Sequence, residues 1–192
     1  MEDFNPFTLK GKNILVTGAS SGIGQGIAIT CSKMGANVII SGRNKEKLSY
    51  TLSQMTDGNH KIIIADLTKN GDISKLVDDL SELDGIVYCA GIGQRILCKQ
   101  IGEDDLDSIM AVNFKASVML QTEILKKRKI NRQSSIVFIS SIATDSPSYG
   151  NALYSASKGA IASYANCLSL ELAPRLIRVN CISPAMVWTD LV

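Results

Sequence analysis

The sequence has one histidine, His60, in 192 residues. A catalytic zinc site therefore finds no obvious ligand set, and a Ser-His-Asp triad would have to be built on His60 alone. His60 directly precedes the apolar run "KIII", which reads as a strand edge and not as a place for catalysis. No GxSxG elbow is present. The cysteines are Cys31, Cys89, Cys98, Cys167 and Cys181, an odd number with no CxxC pair. They read as reduced thiols, mostly core filler, in a cytoplasmic protein. Charge of either sign is not in surplus: the formal net charge is +2. Nothing global then points to nucleic acid or to a membrane surface. No run approaches the roughly 20 apolar residues of a membrane span. The opening "MEDFNPFTLKGKN" has acids at once and no apolar signal core.

What the sequence does have is a regular alternation. Short runs rich in Ile and Val recur: "NILVTG" (13–18), "NVIISG" (37–42), "HKIIIAD" (60–66), "GIVYCAG" (85–91), "SIVFIS" (135–140) and "RVNCIS" (178–183). Consecutive apolar positions suit strands buried on both faces, hence a parallel sheet. Helical stretches lie between them: 22–34 ending at Gly35, a segment capped by Asn44, "DISKLVDDLSEL", a long helix over 104–128, and 151–173 stopping at Pro174. The pattern predicts a doubly wound α/β domain, a Rossmann-type three-layer sandwich with six strands over residues 1–192. From Gly159 to Leu170, "GAIASYANCLSL" carries no charge. An uncharged helix is a buried one, within the fold or against a partner subunit, and its small residues permit close helix contact.

"VTGASSGIG" (16–24) sits between the first strand and the first helix. A glycine-rich turn at that place is where an open α/β sheet binds a dinucleotide pyrophosphate, on the free N–H groups of a helix start. The spacing is Gly18, Gly22, Gly24, so the GxGxxG fingerprint is absent, and a ligand-free tight turn competes as a reading. The second strand ends "IISGRN", with Ser41 and Arg43 and no acid. A carboxylate there would repel a ribose 2′-phosphate and arginine would bind it, which favours NADP(H) over NAD(H). Asp66, in "ADLT", ends the third strand at the edge where an adenine would lie, or it caps a turn.

For proton transfer the sequence offers "YSASK". Tyr154 and Lys158 are four apart and share a helix face. An ammonium beside a phenol favours the tyrosinate and suits it to general acid–base work. Ser141 follows the strand "SIVFIS", at the sheet edge where such folds hold their sites. Asn113, in "MAVNF", is a polar residue inside the long helix. Each alone has an ordinary structural explanation.

Together these motifs resemble the short-chain dehydrogenase/reductase family, of the size-typical type, from about residue 10 to the end of the chain. "TGASSGIG", "ADLT", "CAG" at 89–91, "VN" at 112–113, "ISS" at 139–141 and "YSASK" stand in family order. "TGASSGIG…YSASKGAI" is similar to the 3-oxoacyl-[acyl-carrier-protein] reductase branch. The resemblance implies hydride transfer between nicotinamide and a ketone or secondary alcohol, on a small-molecule or acyl-carrier-linked carbonyl substrate. Tyr154 would protonate the carbonyl oxygen, Ser141 would orient it, Lys158 would bond the nicotinamide ribose, and Asn113 would hold a water in a proton relay. The implied dinucleotide contacts are Gly18, Ser20, Ser21, Gly22, Ile23, Gly24, Ser41, Arg43, Asp66, Leu67, Cys89, Ala90, Gly91, Tyr154, Lys158, Pro184, Val187 and Thr189, with no metal. It also implies a homodimer or homotetramer through helix 154–173.

Cys89 replaces the family's usual asparagine, and Pro184-Ala185 its usual Pro-Gly. The chain stops at Val192, where the resemblance expects a lid and a seventh strand. Two other functions stay open on sequence: a non-catalytic dinucleotide-binding regulatory or scaffolding protein, and nucleic-acid binding through "KKRK" (126–129) with Arg132. Those cations read better as a solvated helix end.

Overall fold

The computed structural model describes residues 5–189. The ends of the expected 1–192 domain, residues 1–4 and 190–192, lie outside the described residues. Six parallel strands form one sheet: β1 Asn13–Thr17, β2 Asn37–Gly42, β3 Lys61–Ile64, β4 Leu83–Tyr88, β5 Ile130–Ile139 and β6 Arg178–Ile182. Their order is β3-β2-β1-β4-β5-β6. The order reverses between β1 and β4, and ligands of open α/β sheets bind outside the strand C-termini at such a point.

Strand alternation divides the core between the two faces. Ile14, Val16, Val38 and Ile40 pack on one face against α1 (Gly22–Lys33) and α2 (Lys45–Ser53). Leu15, Ile39, Ile86, Ile136 and Phe138 pack on the other, against α3 (Asn70–Asp78), α5 (Ala116–Lys126) and α6 (Ala152–Leu172). Helices on both faces explain why β1 and β2 read as unbroken apolar runs. β6 departs from that expectation. Val179 and Cys181 join the second core, while Arg178, Asn180 and Ile182 are exposed, because among the described residues no helix covers the opposite face there.

Element bounds differ from expectation where local chemistry intervenes. Asn44 caps α2 as expected, its side-chain oxygen accepting from the Lys47 N–H at 2.9 Å. The helix expected over 104–128 begins as α4 (Glu103–Met110), passes through a wide π turn at Ala111–Lys115, and continues as α5. β5 starts at Ile130, ahead of the apolar run. It passes through Gln133 at φ 61°, and its pairing with β4 shifts register between Leu83 and Gly85. The basic run is taken up locally at the sheet edge. Lys127 pairs with Asp78 at 2.7 Å and Glu123 at 3.1 Å, Lys129 donates to the Leu80 carbonyl at 2.6 Å, and Arg132 reaches the Pro174 carbonyl at 3.4 Å. No helix among the described residues is long and apolar enough to cross a membrane.

Candidate active site

A cavity of about 840 Å³ opens along the C-terminal edge of the strands. That is within the range of small-molecule and cofactor sites. One end is walled by Gly18, Ser20, Ser21, Gly22, Ile23 and Gly24, with Gly42, Arg43, Asp66, Leu67 and Thr68 beside them. The middle is walled by Cys89, Ala90 and Gly91, and the far end by Ser141, Tyr154, Lys158, Pro184 and Val187, while Thr189 lines the cavity beside Gly22.

The glycine loop owes its residues first to internal packing. A Cβ on Gly18, which has φ +64°, would sit 2.7 Å from the Ala90 backbone nitrogen, and one on Gly24 would run into the Gly18 carbonyl oxygen. Only glycine lets the loop lie this close to the end of β4. Thr17 completes the contact: its Oγ1 accepts from the backbone N–H groups of Cys89 at 3.2 Å and Ala90 at 3.4 Å. The start of α1 has no side-chain cap and no acid in its first turn. Its leading N–H groups therefore face the cavity as donors for an anion. With Arg43 on the same wall, these residues fit the phosphates of a dinucleotide. Asp66 instead organises its own turn. Its Oδ1 accepts from the Thr68 N–H at 3.1 Å and hydroxyl at 2.8 Å, and the hydroxyl bond is the main reason its carboxyl lies below the usual aspartate value.

Lys158 is the buried cation of the site, 6% exposed. Its Nζ donates to the Ile139 carbonyl at 2.9 Å and lies 5.8 Å from the Tyr154 ring centroid. No carboxylate pairs with it among the described residues. Burial holds its ammonium below the ordinary lysine value, while Cys89 and Cys181 act the other way. Burial likewise pushes the Cys89 thiol up to about 12. α6 is fixed behind Lys158 by the Ser140 hydroxyl, which donates to the Lys158 carbonyl at 2.9 Å, and by Ser155, which donates to the Ala143 carbonyl at 2.7 Å. Ser141 begins the short turn Ile142–Thr144, and its Oγ accepts from the Ala143 N–H at 3.1 Å. Its hydroxyl proton is left to point elsewhere, and Ser141 lines the cavity.

Two expected residues stand differently. Ser41 is fully buried and lies beneath the cavity, because β2 turns its side chain into the core and leaves Gly42 and Arg43 on the wall. Asn113 is buried in the π turn and off the cavity wall. Its amide brackets the backbone of Ile92, accepting from the N–H at 2.8 Å and donating to the carbonyl at 3.0 Å, and donates to the Ser157 hydroxyl at 3.0 Å. With its side chain thus engaged, Asn113 clamps the loop after β4 onto α6. A Cβ on Gly91 would come 3.3 Å from both Asn113 Oδ1 and Lys158 Nζ, so the clamp sets the spacing around the lysine.

A model of the short chain dehydrogenases matches residues 12–192. The chain belongs to the short-chain dehydrogenase family. As a short-chain dehydrogenase it is an oxidoreductase that works with a nicotinamide cofactor. It is 38% identical to the 3-oxoacyl-[acyl-carrier-protein] reductase of Rickettsia bellii, over 95% of this chain and 76% of that protein. Its fold matches a crystal structure of a dehydrogenase/reductase from Sinorhizobium meliloti at 33% identity and a TM-score of 0.89, covering 96% of this chain and 75% of that one. A 3-ketoacyl-(acyl-carrier-protein) reductase from Brucella melitensis, crystallised with NADH, matches at 26% identity and a TM-score of 0.87, covering 96% and 79%.

For a short-chain dehydrogenase the supporting residues matter as much as the motif residues, and sequence reading passed over several. Thr17, Ser140 and Ser157 hold backbone or side-chain groups of the site. Gln94, Arg95, Ser148 and Asn151 line the cavity from two loops. Thr17 lies inside "TGASSGIG", Ser140 inside "ISS" and Ser157 inside "YSASK", so membership of a motif was an available signal. Ser148 and Asn151 carried no pattern, whereas Gln94 and Arg95 fall in "GIGQRILCKQ" (91–100), a loop that the sequence already suggests as a source of pocket residues.

Proposed function

We propose that this short-chain dehydrogenase uses NADPH to reduce a ketone, presented as a 3-oxoacyl thioester on an acyl carrier. One observation carries the reading: Ser141, Tyr154 and Lys158 share the wall of the same cavity as the glycine loop and Arg43. When bound, the reduced nicotinamide supplies the hydride taken up by the carbonyl carbon. Tyr154 gives its phenolic proton to the carbonyl oxygen, and the Ser141 hydroxyl donates a hydrogen bond to that oxygen as negative charge grows on it. Lys158 has three donors, and Ile139 takes one. The others serve the ribose and keep positive charge beside Tyr154. Because the lysine is desolvated, its field on the phenol is stronger than in water.

Arg43 supports the 2′-phosphate preference, since no acid ends β2 to oppose it. Ile142, Met186 and Val187 line the cavity while exposed, and that apolar rim suits an acyl chain. Likeness to acyl-carrier-protein reductases supports the same substrate class. The outer face of α6 carries no charge from Gly159 to Leu170, with Ser163, Asn166, Cys167 and a 78% exposed Leu170, and suits pairing with a second copy there, ahead of the exposed Glu171.

The test is NADPH oxidation against a panel of 3-oxoacyl thioesters, sugar ketones and steroid ketones. We expect turnover on the thioester, and in the Arg43→Ala variant an NADPH Kd raised at least tenfold with NADH unchanged. Dinucleotide binding without turnover on any carbonyl would overturn the catalytic reading. Equal loss for both dinucleotides would overturn the role of Arg43.

A further inference from the structure

Thr51 is fully buried in α2, the helix that follows Arg43. A threonine inside a helix ordinarily turns its hydroxyl back to the carbonyl one turn earlier. Thr51 has that partner, the Lys47 carbonyl at 3.1 Å, but it also lies 2.9 Å from the carbonyl of Ala19 in the glycine loop. The one hydroxyl proton is shared between two acceptors, with the shorter distance to the loop. The same oxygen accepts from Gln25 Nε2 at 3.0 Å, which brings in the first turns of α1. Ala19 is fully buried, and its N–H donates to the Ser41 carbonyl of β2 at 3.2 Å. Both backbone polar groups of Ala19 are therefore held by the βα unit that contains Arg43. The neighbours of Ala19 are Gly18 and Ser20, both on the cavity wall.

We propose that Thr51 is a positioning residue for the dinucleotide: its hydroxyl sets the glycine loop in register with the segment that carries Arg43. The inference rests on the dinucleotide reading above and adds a residue that touches neither the cavity nor the reacting groups. Loss of the hydroxyl leaves the Ala19 carbonyl without this partner in a buried place and frees the half-buried Gln25 amide, so the loop relaxes away from the geometry its N–H groups need. Ala19 lies at the glycine loop, which faces the pyrophosphate common to both dinucleotides. The loss therefore falls on NADPH and NADH alike. The groups on α6 that act on the carbonyl are not tied to Thr51.

The test compares wild type, Thr51→Val and Thr51→Ser in dinucleotide titrations, steady-state kinetics and amide hydrogen exchange of the cofactor-free protein. Valine keeps the branched shape and its backbone preference. We expect Thr51→Val to raise Kd roughly tenfold for both NADPH and NADH. We expect kcat at saturating cofactor to hold, and exchange to quicken in residues 18–24 with the rest of the protein unchanged. Serine should restore the affinity for both dinucleotides and the exchange of residues 18–24. Wild-type affinity and wild-type exchange in Thr51→Val would overturn the inference, as would a fall in kcat with exchange quickened throughout, which marks plain destabilisation. Selective loss of NADPH would transfer the role to the 2′-phosphate and overturn it as stated. Wild type that binds neither dinucleotide would instead overturn the functional reading, and this inference with it.

Discussion

Replacing Lys158 by methionine removes a cation from a buried position while keeping most of the side-chain volume. The lysine is 6% exposed, has no carboxylate partner among the described residues, and gives one hydrogen bond, to Ile139. Burying an ion costs several kcal/mol after relaxation, and here one hydrogen bond offsets it, since the nearby Cys89 and Cys181 thiols, both pushed up, are uncharged at pH 7. Losing the bond to Ile139 costs about 1 kcal/mol, so methionine should leave a net gain of about 1–2 kcal/mol at pH 7. For a chain of this size that raises Tm by roughly 3–6 °C. The sign of the pH dependence follows from linkage. Lys158 has its folded pKa below the unfolded value of 10.5, so the unfolded state holds the extra proton between the two values. The penalty of the ammonium is fully present below the folded pKa and disappears as pH rises to 10.5. The Tm difference between variant and wild type should therefore shrink as pH rises from 7 toward 10.5, read by differential scanning calorimetry. Turnover should be abolished at every pH. A methionine variant less stable than wild type at pH 7, or a difference flat with pH, would refute the reasoning.

Other outcomes follow from the same geometry. Leu176 has φ 57° and is exposed at the turn after α6, so Leu176→Gly should raise stability by about 0.5–1 kcal/mol in urea titration. Cys98 and Cys167 are exposed, whereas burial pushes the Cys89 thiol up to about 12. Iodoacetamide at pH 8 should then label Cys98 first and leave Cys89 unmodified, as read by mass spectrometry of the native protein. Early labelling of Cys89 would mean that its wall of the cavity is open.

The sheet was legible because β1 and β2 sit between two helix layers and are apolar at consecutive central positions, Ile14–Val16 and Val38–Ile40. The opening of β5 was not, since its first residues follow a basic run whose cations bond to carbonyls and acids of neighbouring elements. The π turn at Ala111–Lys115 left no mark in the apolar period, yet it places Asn113 against Ile92 and Ser157. Ser41 shows the limit of reading a strand end. Whether a side chain faces the wall or the core there depends on one residue of register, which pairing with β1 decides. Thr51 shows another. A lone threonine in an amphipathic helix looks ordinary until the fold brings the Ala19 carbonyl to it.

The central claim is that Tyr154 supplies the proton in carbonyl reduction, within a site whose dinucleotide end is built separately. The most direct test is Tyr154→Phe, assayed for NADPH oxidation on a 3-oxoacyl thioester beside an NADPH titration. Loss of general acid catalysis predicts kcat lowered by about 10²–10⁴-fold with NADPH affinity held near wild type. A phenylalanine variant that turns over at the wild-type rate would contradict the account.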